Sequence, residues 1–336
     1  MESTSVHQYS DPPIIQIYLA FIKVMIIVSS FYYPMMLYLV LYKSKALGDY
    51  KYYLLPTITF AYLFEFLLGV CQPVFIFPIL GGYGRGFIQY TSNTVAFFCI
   101  VLLLLTAGYM TVGMGLAMLF RYRIVAPEII RRWLNKGWIY RGIIGYGYIS
   151  ITVMICFWMF LLKPSKDKLD SFLSTNPRYT DLAVKEPTLI IFDSDEFAPS
   201  NIFLIGYCMV AFLIISTLIL IFHLEQQLYK KRTKMSVITF RIQQMMNTSF
   251  KAELLSGHIF ILCPIATAVF VLHIKHPDGA SICHGALMVG SLYSVVLYSS
   301  MIYFTNPYRT WIAKTFHIGI RVRINALQSS IFAVRQ

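Results

Sequence analysis

Residues Ser299–Lys314 read SSMIYFTNPYRTWIAK. An apolar run stops at Asn306-Pro307, and a tyrosine and a cation follow at once. A soluble helix has no need of so abrupt an edge. A helix leaving a bilayer does: proline cannot continue the hydrogen-bond ladder, and an arginine holds the exit at the water.

The rest of the chain agrees. Of its 336 residues 57% are apolar and 13% charged, against about 25% charged in soluble domains. Several apolar runs exceed the roughly 20 residues that cross a bilayer. No short alternating segments of the β-barrel kind occur. The sequence therefore predicts an all-α membrane protein with seven helices, near 15–42, 52–80, 88–119, 139–162, 200–224, 252–274 and 282–305. No internal repeat is visible, so an inverted-repeat transporter gains no support.

Charge fixes an expected orientation. Alternate connections (43–51, 120–141, 223–251 and the tail) hold 20 of the 28 Lys and Arg, and the opposite side holds seven. Ten of the 15 acids lie on that opposite side. The positive-inside rule then puts the N-terminus outside and the tail in the cytoplasm. Residues 1–14 form an extracellular N-terminus, 15–305 the seven-helix bundle, and 306–336 a cytoplasmic tail. In that tail Ile312, Phe316, Ile320, Ile324, Leu327 and Ile331 recur at helical steps, with Lys314 and Arg321 elsewhere around the axis. Such an amphipathic helix would lie on an anionic leaflet. The first apolar run is too long for a cleavable signal and is expected to remain as the first span. The net charge of +13 follows from sidedness, and no nucleic-acid partner is expected.

Ionisable groups inside spans are costly and stand out as functional. Lys23 falls in the first helix and Glu65 in the second, about 14 and 20 Å from their own helix ends at 1.5 Å per residue. The two could pair, Lys23 could snorkel outward, or Glu65 could be protonated. Pro264 lies midway along the sixth helix and frees the carbonyl of Phe260, which makes it a candidate hinge. His273, His276 and His284 gather beside Cys283 at the outer mouth, but their spacing fits no zinc pattern. No metal or cofactor is expected. All six cysteines sit in or beside apolar runs, so no disulfide framework is indicated. Asn247-Thr248-Ser249 has the form of a glycosylation sequon, on the side where it is expected to stay unmodified.

The third helix ends LAMLFRYRIVAPE. Arg121 and Arg123 flank Tyr122 at the inner face, and Arg121 could reach back under the bundle to lock its neighbours. The basic connection 225–251 reads as inner extensions of helices five and six that could dock a protein. The outer connection 163–199, with four prolines, could cap an outward pocket, although no cysteine ties it to helix three.

Three stretches carry a resemblance: YKYYLLPTITFAYLFEFLLG, PVFIFPILGGYGRG and CHGALMVGSLYSVVLYSSMIYFTNPYRTWI. With the seven spans, they resemble the nematode serpentine chemoreceptors of the Str superfamily, most like classes H and I. The resemblance covers nearly the whole chain. It implies a chemosensory G-protein-coupled receptor in the plasma membrane of sensory cilia, with an external small-molecule ligand and a heterotrimeric G-protein as partners. Ligand-lining candidates, chosen by depth and polarity, are Gln72, Phe75, Asn93, Phe97, Tyr207, His273 and His284. Coupling candidates are Arg121, Tyr122, Arg123, Pro307, Tyr308 and Arg309. The chain departs from rhodopsin-like receptors: Phe120 stands where an acid would precede Arg121, Asn306-Pro307-Tyr308 is contiguous, and the seventh span has no lysine. An acid–arginine lock within that motif is therefore excluded. A ligand-gated channel of odorant-receptor type is the alternative, or a transporter or membrane enzyme; the spans lack clustered His, Asp or Glu ligands.

Overall fold

The structure is a computed structural model that describes residues 13–44, 49–76, 81–161, 166–192, 199–234, 236–274, 276 and 278–315. Seven long helical units cross the molecule. They are α1 (Pro13–Tyr42), α2 (Lys51–Cys71), α3 (Asn93–Val125) and, after the short α4 (Glu128–Leu134), α5 (Gly137–Leu161). Beyond α6 (Lys166–Thr175) and α7 (Thr180–Lys185) come α8 (Pro199–Lys230), the pair α9 (Val237–Gly257) and α10 (Cys263–Ile274), and the pair α11 (Gly279–Ser291) and α12 (Tyr293–Phe304). A final helix, α13 (Asn306–Thr315), closes the described chain. Among the described residues, six of these units are long and apolar enough to cross a membrane. The seventh, α8, carries the run IFLIGYCMVAFLIISTLILIF over residues 202–222. The all-α seven-helix expectation holds.

The core lies between α1, α2, α3, α9 and α12. Leu39, Ile58, Met110, Leu297 and Tyr298 are wholly buried there. The Tyr298 hydroxyl donates to the Ile58 carbonyl at 2.9 Å. Close approach of α2 and α3 depends on Gly113, where an added Cβ would come 2.9 Å from the Thr57 hydroxyl and 3.0 Å from its backbone nitrogen. A small residue at that contact brings two backbones together, which in lipid is the main source of helix association.

The second helix is shorter than the sequence suggests. It ends at Cys71, and Gln72 takes a left-handed conformation, φ 41° and ψ 63°. Pro73–Ile76 is then a strand, β1, paired antiparallel with β2, Gly81–Gly84. The returning chain caps the helix: the amides of Arg85, Gly86 and Phe87 donate to the carbonyls of Gln72, Cys71 and Val70. These helix-end carbonyls would otherwise lack partners. Gly86 is required by the approach, since a Cβ there would stand 2.0 Å from the Val70 oxygen. The apolar run VFI reads equally well as helix or strand, because a run this short has no decisive period.

This hairpin is half of a lid. A third strand, β3 (Ile190–Ile191), pairs with β2, and α6 and α7 pack beside it. Val74, Ile76, Tyr83, Tyr179, Leu182 and Leu189 form its own small core against Ile15 of α1. Within the connection 163–199, the described residues 166–192 cover one end of the bundle, here called the lid end. Hydrogen bonds and one ion pair hold it where no disulfide does. Gly84 N–H donates to the Thr188 hydroxyl at 3.1 Å, and Arg85 Nε meets Glu186 Oε1 at 3.0 Å. All six cysteines are free. Replacing Glu186 with alanine should loosen the lid by about 1–3 kcal/mol, the worth of a charge-assisted hydrogen bond. Hydrogen exchange at the Arg85–Phe87 amides should quicken while that of α12 stays unchanged.

At the opposite, tail end, α12 stops at Phe304 and Thr305 is extended. The chain restarts as α13 with Pro307 in its first turn, where its missing N–H has no helical partner to lose. The amphipathic helix expected for the tail is thus described only through Thr315; Phe316, Ile320, Ile324, Leu327 and Ile331 lie outside the described residues. The fifth and sixth helices extend well past the expected boundaries, to Lys230 and from Val237.

Candidate functional site

The strongest concentration of buried polar groups lies at the tail end, around Arg121. Helix α3 carries this arginine inward, and it is only 3% exposed. One guanidinium nitrogen donates to the Met246 carbonyl of α9 and the other terminal nitrogen to the Tyr50 hydroxyl. The guanidinium also lies over the rings of Tyr50, 4.4 Å, and Phe250, 4.6 Å. Its Nε–H is buried without a hydrogen-bond partner among the described residues. Glu253 of α9 is buried as well, accepts from Ser249 at 3.0 Å, and feels the Arg121 charge. One small void is shared by Arg121, Glu253, Tyr50, Thr305 and Tyr308.

Tyr308 completes this cluster. It is fully buried, and its hydroxyl hydrogen-bonds Ser44 at the end of α1. Burial raises both phenols: Tyr308 is pushed up to about 12, and Tyr50 is raised despite the opposing pull of Arg121. Both stay protonated at physiological pH, and the Tyr50 oxygen accepts from Arg121 as a neutral phenol. The cluster therefore clasps α1, α2, α3, α9 and α13 around one incompletely satisfied cation. Such a site holds firmly in one arrangement and gains by finding more partners in another.

Of the coupling candidates, Arg121 and Tyr308 thus face inward and clasp helices instead of presenting themselves at the surface. Tyr122 packs toward His223, with ring centroids 5.6 Å apart. Arg123 lies over Phe120 and Tyr140. Arg309 donates to the Asn306 side chain at 2.8 Å and is partly exposed beside Pro307. Glu253 escaped notice in the sequence because it falls at the edge of the expected sixth helix. Its spacing to Arg121, over a hundred residues, gives no local signal. Asn247 of the sequon is 7% exposed, inside α9.

The ligand-lining candidates do not form one group. Phe75 N–H donates to His284 Nε2 at 3.2 Å, and Tyr18 of α1 packs on the same imidazole at 5.0 Å. This joins the lid to α11 and α1. Tyr207 and His273 form a separate edge-on pair, 6.2 Å apart. Phe97 packs beside Cys71, Ile88 and Ile190. Gln72 is the helix-ending residue beneath the hairpin, not a wall of helix two, and Asn93 opens α3. A cavity of about 60 Å³ under the hairpin is lined by Phe75 but by none of the other six.

Within the bundle, Glu65 is 1% exposed and accepts from the Ser294 hydroxyl of α12, whereas Lys23 is exposed on α1. Their pairing, one of three sequence readings, is replaced by a carboxyl–serine contact. Pro264 follows a π-helical turn, His258–Leu262, in which the Cys263 amide donates five residues back to His258. A π turn beside a proline is one of the few recognised causes of a helix kink.

A seven-helix membrane bundle with a capped end and a clasp of buried arginine at the other is the architecture of a seven-transmembrane receptor. The chain matches the serpentine type 7TM GPCR chemoreceptor family Sri over residues 10–312, and it belongs to that family. It is a multi-pass chemosensory receptor of a family of receptors rather than enzymes. Comparison with curated proteins finds no match.

Proposed function

We propose that the protein sits in the plasma membrane of a sensory cell, and of its cilium, binds an external small molecule at the lid end, and activates a heterotrimeric G-protein at the tail end. The carrying observation is the Arg121 cluster. A buried cation clasps the tail-end half of α9 to α3 with one nitrogen unsatisfied, and the π turn and Pro264 lie farther along the same helical unit.

The mechanism follows from that arrangement. A ligand that binds more tightly when the tail-end half of α9 has swung out shifts the population toward the open form. Opening requires Arg121 to release the Met246 carbonyl. The freed guanidinium, with Arg123 and the Pro307–Arg309 turn nearby, then faces a cavity able to accept a G-protein segment. The acid that shares the Arg121 void, Glu253, comes from α9 and not from the residue before Arg121.

Sidedness rests on the distribution of lysine and arginine. An epitope placed ahead of Met1 should be labelled on intact cells, and one after Gln336 only after permeabilisation. In cells that report both second messenger and current, an active odorant should raise the messenger only when the heterotrimer is present. A current that persists without it would favour a channel. Labelling of the N-terminal epitope only after permeabilisation would overturn the receptor threading.

A further inference from the structure

Between α3, α8 and the π turn lies a cleft of about 180 Å³. It is separate from both the lid cavity and the Arg121 void. Met114, Gly115 and Met118 line it from α3, Leu220 from α8, and Leu254 and His258 from the α9 side. Gly115 is exposed, and a Cβ built there meets nothing within 4 Å. It lies about 15 Å from the C-terminal end of α3, at bilayer depth by the rise of 1.5 Å per residue. The cleft therefore opens toward lipid.

A plain acyl chain is a poor match for its walls. Thr111, Ser216, Thr217 and His258 all contribute to the lining, and polar side chains at that depth are kept for a purpose. His258 is the informative one. Its Nδ1 lies 2.6 Å from the Leu254 carbonyl, which can only accept, so Nδ1 carries the proton. In the tautomer with its one proton on Nδ1 the ring offers Nε2 as an acceptor, and Nε2 is buried with no hydrogen-bond partner among the described residues. A guest must bring a donor. An apolar cavity of about 150 Å³ holds one benzene ring, so this cleft suits a single ring or a short chain with one hydroxyl.

We propose that the cleft binds a neutral, membrane-soluble alcohol or phenol of about one ring, entering from the lipid. It is a regulatory site distinct from the one under the lid. Leu254 and His258 of its wall follow directly on Glu253 along the same helical unit, and the cleft exists in the clasped arrangement. A guest stabilises the state that offers its site. Occupancy therefore holds α9 against α3 and lowers basal signalling.

The test uses the full chain in nanodiscs and a benzyl alcohol carrying a ring diazirine. Light should attach the probe within 111–118, 216–220 and 254–262, and excess benzyl alcohol should displace it. Gly115→Leu fills the open space and should abolish the label. Toluene should compete less well than benzyl alcohol, by roughly fivefold for one hydrogen bond, and His258→Phe should remove that preference. Basal nucleotide exchange should fall with benzyl alcohol in the parent chain but not in Gly115→Leu. Label spread along the lipid face without displacement, equal labelling of Gly115→Leu, or a preference untouched by His258→Phe would each overturn the site. A rise in basal exchange would overturn the proposed direction. Labelling needs no G-protein, so failure of coupling would leave the site intact, and the reverse holds too.

Discussion

Glu253→Ala should destabilise the purified receptor by about 1–3 kcal/mol, the cost of leaving buried polar neighbours without a partner. The reason is the company Arg121 keeps. Its guanidinium is buried, holds the Met246 carbonyl and Tyr50, and has its Nε–H unsatisfied. Without Glu253 the same desolvated cation loses the acid that shares its void, and Ser249 loses its acceptor. The clasped arrangement is the one harmed, so basal nucleotide exchange should rise as thermal stability falls. Combining Glu253→Ala with Arg121→Met should recover part of the loss, because the desolvated cation is then gone as well. A double-mutant cycle of thermal unfolding in detergent measures this directly. Additive single effects, with a coupling below about 0.5 kcal/mol, would show that the two groups do not act together.

Tyr308→Ala should cost more, about 3–5 kcal/mol, as for other large buried aromatics truncated to alanine. Tyr308 is fully enclosed in the same core as Leu39, Val40 and Met301, and Trp311 and Ile312 lean on that core from α13. Truncation removes the peg that docks α13. Cleavage after Arg309 and Lys314 by trypsin should become rapid under native conditions. Tyr308→Phe is the control. Ser44 would still donate to the Leu39 carbonyl, 3.1 Å away, so the loss should be no more than about 1 kcal/mol, a single hydrogen bond. If Tyr308→Phe were as damaging as Tyr308→Ala, packing would not be the main role of this residue.

The seven helices were legible because each span imposes a length and polarity that no soluble segment shares. Sidedness was legible as an expectation for the same reason, in the crowding of Lys and Arg on alternate connections. The lid was not. Pro73 falls inside the helix expected over 52–80, and VFI has too few residues to declare a two-residue period. What decides the turn there is the return of Arg85–Phe87 onto the end of α2, a contact between segments that local patterning cannot record. The site divides the same way. Arg121 stood out as a cation at the end of a span, and Glu65 as an acid inside one. Glu253 did not, since its meaning comes only from facing α3. The seven ligand candidates shared depth and polarity, but depth does not specify which way a residue points around its helix. Hence Phe75 and His284 meet, while Tyr207 and His273 meet elsewhere.

The five-residue turn before Pro264 gives that helix one residue more than its length requires. Such a surplus can be handed along the axis by exchanging one hydrogen bond at a time, and each residue it passes turns about the axis by roughly 100°, the angle of one residue at 3.6 per turn. Deleting Ile259 would remove the surplus and leave an uninterrupted spiral. The receptor would then be fixed in one rotational setting, able to fold and reach the surface yet unable to change its answer.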